Sequence, residues 1–177
     1  MLDQVAKVAY QRLPGVILQQ ARSWLLKPEL VDHDRIKFRE SDLLLHERYL
    51  IDTLDGMLLS AMYRGKFISK SEKFICFFEE EGNQYINQHL QQASQNLSVT
   101  LNQFVHFVAT RFFHVPEKNN EDPNNWRFSL YPELKYAKEQ EKRAYYNRQA
   151  HELRVLILEL SEEYRSYRKL IKQVLAI

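Results

Sequence analysis

The sequence predicts an all-α fold, a bundle of about five to six helices closed by a long C-terminal helix. Three observations carry this. Apolar residues recur at steps of three and four along most of the chain. Four glycines and five prolines in 177 residues leave too little turn chemistry for a many-stranded sheet. The charged residues gather on helical faces instead of alternating along strands.

Taken in order, residues 2–13 and 16–27 read as two short helices parted by Pro14-Gly15, the second stopped by Pro28. A long amphipathic helix is expected from about Asp34 to Arg64, with Gly65 as its C-terminal stop. Ser69 followed by Glu72 has the spacing of a capping box, opening a helix that passes Phe74, Phe77 and Phe78 and tolerates Gly82 on its way to Leu90. Leu101, Phe104, Val105, Val108 and Phe112 place a further helix over Ser98–Phe113. Residues 115–131 hold Pro116, Pro123 and paired asparagines and read as a loop. Pro132 suits the first position of a final helix over 132–176, which at 1.5 Å per residue would be about 65 Å long. The expectation is a single helical domain over 1–177.

Composition excludes little by itself. Hydrophobic content of 45% with 27% charged residues suits a globular chain of this length. The net charge of +2 decides nothing, so charge distribution carries the argument. A single cysteine, Cys76, rules out an internal disulfide framework and suits a reducing compartment; flanked by Phe74-Ile75 and Phe77-Phe78, it is expected to be buried and inert. No apolar run reaches the roughly 18–20 residues of a membrane span, and the N-terminus lacks a basic segment followed by an apolar one. The expectation is a cytoplasmic protein with no membrane association.

Catalytic signatures are missing. There is no glycine-rich phosphate loop of either common spacing. His46-Glu47 and His151-Glu152 begin like a zinc-protease motif, but Leu50 and Val155 stand where the second histidine belongs. No histidine has a glutamate three residues before it, as a di-iron bundle requires. Ser166 and Lys169 have the SxxK spacing without its partner motifs. His106 and His114 read as satisfied core or boundary histidines, and Asp52 with Asp55 as a carboxylate pair without a visible metal or substrate partner. The chain is expected to be no enzyme, with no cofactor and no metal site.

The final helix separates into three faces at 100° per residue. Leu153, Leu156, Ile157, Leu160, Tyr164, Tyr167, Ile171, Val174 and Leu175 form an apolar stripe that must pack on the domain. Traced backward, that stripe meets Gln149, Tyr146, Lys142, Lys138 and Lys135, so the first turns must leave the bundle or the helix must bend near Asn147. Arg143, Arg154, Arg165, Arg168 and Lys172 form a basic stripe about 44 Å long, with Lys169 at its edge. Glu141, Glu152, Glu159, Glu162 and Glu163 form an acidic one. Arg143, Arg154 and Arg165 stand eleven residues apart, close to three whole turns.

A segregated basic face suits a phosphate backbone, which the planar guanidinium fork recognises well. Lys138 and Lys142 would extend it, and Tyr145 and Tyr146 would offer stacking for unpaired bases. Arg64, Lys66, Lys70 and Lys73 around Gly65 form a second basic cluster, where free N–H groups of a helix start would help grip phosphate. Lys7, Arg12, Arg22 and Lys27 add charge near the N-terminus. Two other accounts stand beside this one. The basic face can pair with acids drawn from Glu40, Asp42, Glu47, Asp52 and Asp55, or it can simply be solvated.

The paired short helices at 2–27, the run LNQFVHFVATRFFHV and the closing RAYYNRQAHELRVLILELSEEYRSYRK together resemble the small subunits of CRISPR effector complexes, the type I-D small subunit above all. In that family this subunit corresponds to the C-terminal helical part of the large subunit. The resemblance implies a non-catalytic subunit of a ribonucleoprotein, stacked in several copies and holding guide–target duplex or displaced strand through backbone charges. The alternative is a protein-only helical adaptor docking through its long charged helix.

Overall fold

Helix α1 (Pro28–Leu44) opens the described part of the chain, since the computed structural model describes residues 28–117 and 122–177. The helices expected over 2–13 and 16–27, with their basic residues, lie outside the described residues.

The helix expected over Asp34–Arg64 is three elements. After α1 come α2 (Glu47–Ser60) and strand β1 (Met62–Arg64). The break falls at Leu45-His46, where the extended backbone of His46 (φ −63°, ψ 139°) lets its ring Nδ1 accept the Arg48 N–H at 3.2 Å. Histidine is not among the usual capping residues, so this break carries no familiar signature. The turn drives Leu45 into the core at 1% exposure. At the far end of α2 the left-handed position belongs to Ala61 (φ 53°, ψ 42°), whose N–H donates to the Met57 carbonyl at 2.8 Å.

Gly65 is therefore not the stop. Its φ of −50° suits any residue, and the reason for glycine is space: a Cβ there would stand 2.3 Å from the Pro123 carbonyl oxygen. Its N–H donates to the Trp126 carbonyl at 2.9 Å, fastening the following loop against the start of α3 (Lys66–Glu79). Because α3 begins at Lys66, Ser69 and Glu72 lie inside its first turns and no capping box forms.

Helix α3 ends at Glu79 and does not reach Leu90. A 3-10 turn (Glu81–Asn83) follows, and Asn87 then caps α4 (Gln88–Arg111) by accepting the N–H groups of His89 and Leu90. Helix α4 thus begins ten residues before the expected Ser98. The connection is pinned by Asp34 of α1, fully buried, whose two carboxylate oxygens accept the N–H groups of Ile86 (2.8 Å) and Asn87 (3.0 Å).

The expected loop 115–131 is only partly a loop. Strand β2 (Phe112–Val115) leaves α4, a 3-10 turn (Pro123–Asn125) follows, and β3 (Arg127–Leu130) returns to pair antiparallel with both β1 and β2. Met62 lies opposite Ser129, and Phe112 opposite Leu130. Strands this short show no readable alternation in sequence. Tyr63 anchors the small sheet to the helices, its ring 5.2 Å from Phe112 and from Phe128 and 5.9 Å from Phe67.

The final helix α5 (Gln140–Leu175) is shorter than expected, 36 residues and about 54 Å. Pro132 does not start it. Tyr131 has φ 33°, and its carbonyl accepts from Leu134 and Lys135 in an isolated turn. Every residue of the predicted apolar stripe is buried or half-buried, and residues 138–145 are all exposed, as Lys138 and Lys142 on that line require, whereas Lys135 and Gln149 are half-buried. Buried positions on α5 (153, 157, 160, 164, 167, 171, 175) and six of those on α4 (90, 94, 97, 101, 104, 108) advance by fours and threes, alternating on α5 as far as 171. That is the spacing of a knobs-into-holes seam. Arg111 at the end of α4 reaches Gln149 and Glu152, and Tyr85 before α4 meets Tyr167 at 2.6 Å between hydroxyls, so the pair runs antiparallel. The result is a mostly helical chain with a long C-terminal helix and a small sheet at one end. Among the described residues no helix is long and apolar enough to cross a membrane.

Gly65→Ala should cost about 1–3 kcal/mol of stability in urea unfolding, because the added carbon meets backbone. Burial raises the Asp34 pKa above its ordinary 3.8, against the pull of the two N–H bonds. The folded chain then holds that proton more tightly than the unfolded one, and the Asp34 contribution falls as pH rises from 3.8 through the raised value. Comparing unfolding of the wild type and Asp34→Asn across that window should show the wild type's margin shrinking as pH rises.

Candidate nucleic-acid interface

The seam with α4 fixes the rotation of α5 and so decides where its charges point. Arg143, Arg154, Arg165 and Lys172 are exposed, as is Lys169 beside them, and none forms an ion pair with a described carboxylate. From Arg143 to Arg165 this line covers about 33 Å of helix. Lys138 is exposed and unpaired among the described residues, and Lys142 makes an exposed pair with Glu139 at 2.9 Å.

Arg168 departs from the others. Its side chain is 14% exposed and is held by Asp42 of α1 and by Glu47 of α2 at 3.1 Å, with the guanidinium 4.7 Å from the Phe38 ring. Burial works to lower its pKa, but Tyr164, Asp42 and Glu47 outweigh that and leave it raised. On a regular helix Arg168 lies about 40° nearer the apolar stripe than Arg154 or Lys172, which is why it turns inward. Pairing with the acids of α1 and α2 thus accounts for this one arginine. Glu40 and Asp52 instead pair locally, with Lys37 (3.1 Å) and Arg48 (3.6 Å).

The two tyrosines part company. Tyr146 faces the core and is half-buried, while Tyr145, 37% exposed, donates to the Tyr131 hydroxyl at 3.2 Å. Tyr131 in turn lies 5.5 Å from Phe113, and Arg148 sits 5.8 Å from the Tyr145 ring. Phe113 and Tyr131 come from β2 and from the turn after β3, so this exposed aromatic ledge had no sequence signal.

In the second cluster Lys66, Lys70 and Lys73 share one face of α3. With Ser69, and with Asn124 and Asn125 opposite, they border a hollow of about 420 Å³. Lys70 is half-buried, its Nζ 3.3 Å from the Leu44 carbonyl and 5.0 Å from the Tyr49 ring. Arg64 points to the loop and donates to the Asn125 carbonyl at 3.1 Å. The Gly65 N–H, expected to be free for a ligand, is already spent on Trp126.

Arg165, Lys169 and Lys172 border another hollow, of about 370 Å³, whose far wall is Glu47. Arg154 borders a smaller one, about 180 Å³, together with Lys135, whose Nζ lies 3.2 Å from the Ser60 carbonyl. Cys76 is exposed, contrary to expectation, because Phe74, Ile75 and Phe78 take the inward positions of α3. His106 and His114 are also exposed, the latter against Trp126 with ring centroids 4.7 Å apart. Among the described residues no group of three His, Cys, Asp or Glu is placed to hold a metal ion.

Comparison of the chain with protein-family models, with curated proteins and with solved structures found no match to any of them.

Proposed function

We propose that the chain is a non-catalytic helical subunit of a nucleoprotein assembly that holds nucleic-acid backbone without reading sequence. The CRISPR small-subunit resemblance belongs to the same proposal, with guide–target duplex or displaced strand as the ligand and further copies of the chain as neighbours. The observation that supports it is the line Arg143–Arg154–Arg165, exposed and without carboxylate partners among the described residues, on a helix locked into the core. Unpaired arginines on a rigid support lose little entropy on meeting phosphate, and displaced counterions drive the association. Lys138, Lys142, Lys169 and Lys172 widen the track. Arg168 supports it from beneath by tying α5 to α1 and α2 and is not itself offered as a phosphate ligand.

A protein partner on the same helix is the second reading. It is favoured by Val155 and Leu158, which are 40% and 57% exposed beside Arg154. Salt separates the two, since apolar docking is far less salt-sensitive than phosphate binding.

Affinity for DNA or RNA should fall linearly with salt on logarithmic axes, and Arg143→Glu with Arg154→Glu should flatten the slope by about 0.7–0.9 for each phosphate no longer neutralised. Absence of any binding at low salt, by the chain alone and within its complex, would sink the proposal. Arg168→Gln should act differently, costing about 1–3 kcal/mol of folding stability while leaving the salt slope unchanged.

A further inference from the structure

The break between α1 and α2 does more than bend a helix. It forms an elbow, Leu44 to Glu47, with α3 on one side and α5 on the other. Lys70 holds the Leu44 carbonyl, and Leu43 and Leu44 wall the lysine hollow. Arg168 holds Glu47, which walls the arginine hollow. Three residues of chain cover at most about 11 Å, so a wall of one hollow stands within that distance of a wall of the other, although their basic residues lie about a hundred positions apart in sequence. His46 on the elbow and Leu43 (82% exposed) just before it face solvent.

The acids at this corner are already engaged. Asp42 and Glu47 hold Arg168, and Asp122 accepts from the Asn124 backbone and from the side chains of Asn124 and Asn125. Lys66, Lys73, Arg165, Lys169 and Lys172 have no carboxylate partner among the described residues.

We infer that the two hollows are one binding site for single-stranded nucleic acid, whose backbone leaves the α5 track at Arg165, crosses the elbow over His46 and Leu43, and enters the lysine face of α3. A flexible single strand can turn this corner, whereas a duplex with a persistence length near 150 base pairs cannot follow it without a large bending cost. The exposed Leu43 side chain gives an unpaired base an apolar surface to lie on. This inference rests on the nucleic-acid reading above and adds the ligand's form and its path.

The test uses the full chain and an oligothymidylate of about eight nucleotides, within the span a single-strand site usually covers. Affinity, stoichiometry and salt slope are measured for the wild type, for Lys66→Gln with Lys73→Gln, and for Arg165→Gln with Lys169→Gln, all exposed positions. One oligonucleotide should bind per chain, and each variant should weaken it about fivefold or more and lower the salt slope by about 1.4. Two oligonucleotides per chain, with each variant losing one and binding the other unchanged, would overturn the single site. So would either variant binding as the wild type does, or an octamer that fails to bind where a long strand binds. In those cases the broader reading stands, because the long strand still binds. If strands of every length and duplexes alike fail to bind at low salt, both fall together.

Discussion

Seven side chains of α5, from Leu153 to Leu175, enter the core at steps of four and three, and α4 answers with similar spacing. Each fully buried Leu or Ile among them contributes roughly 1.5–3 kcal/mol, so among the described residues the seam is the largest single source of order. A seam of that kind also fixes rotation. Once Leu160, Tyr164 and Ile171 point inward, the flanks of α5 have no freedom. Arg168 is drawn against α1 and α2, Arg154 and Lys172 are held at the rim, and the acids fall away from both. The charge pattern of the surface is set by the apolar pattern beneath it.

Polar groups inside the core set alignment along the seam. Tyr85 and Tyr167 share a hydrogen bond in a site where burial pushes both hydroxyl pKa values up, that of Tyr167 to about 12. Both therefore stay neutral at ordinary pH and can serve only as partners to each other and to nearby oxygens. A shift of one turn between α4 and α5 would leave both hydroxyls buried and unpaired, at about 1–3 kcal/mol each. Asp34 does the same for the entry to α4, since no other described group meets the N–H groups of Ile86 and Asn87. Alignment of α4 against α5, and of α1 against both, follows from these contacts more than from the apolar residues, which tolerate sliding.

What the sequence revealed and what it hid divide along the same line. Long periodic segments were readable: the stripe of α5 and the exposed turns before Tyr146 follow from period, and the helical class from period together with the scarcity of glycine and proline. Local breaks were not. His46 caps through a ring nitrogen, Ala61 takes a left-handed turn where glycine is usual, and Gly65, which looked like that turn, is small because Pro123 lies against it. The strands escaped notice at three or four residues each. Of the candidate interface, the eleven-residue arginine line could be seen in the sequence because it lies on one helix. The inward turn of Arg168, the ledge of Phe113, Tyr131 and Tyr145, and the meeting of α3 and α5 at the elbow depend on tertiary placement, which no single segment encodes.

The segregation of charge is itself a cost that the fold carries. Arg165 and Lys169 on α5 and Lys66 and Lys70 on α3 each stand four residues apart, and Lys70 and Lys73 three apart. Like charges at such spacing on a helix are unfavourable by about 0.2–0.5 kcal/mol each, where a glutamate at one member of each pair would reverse the sign. The chain has glutamates to spare on α5, but they sit on the opposite flank. Repulsion of this size is tolerable because the α4–α5 seam is far stronger. A polyanion lying along the track, as proposed above, would relieve it, so the same residues that weaken the free helix would strengthen the bound one. Solvation alone would be served as well by mixed signs; a line of like charge on a rigid helix would gain from a ligand of opposite charge, which is what the proposed function supplies.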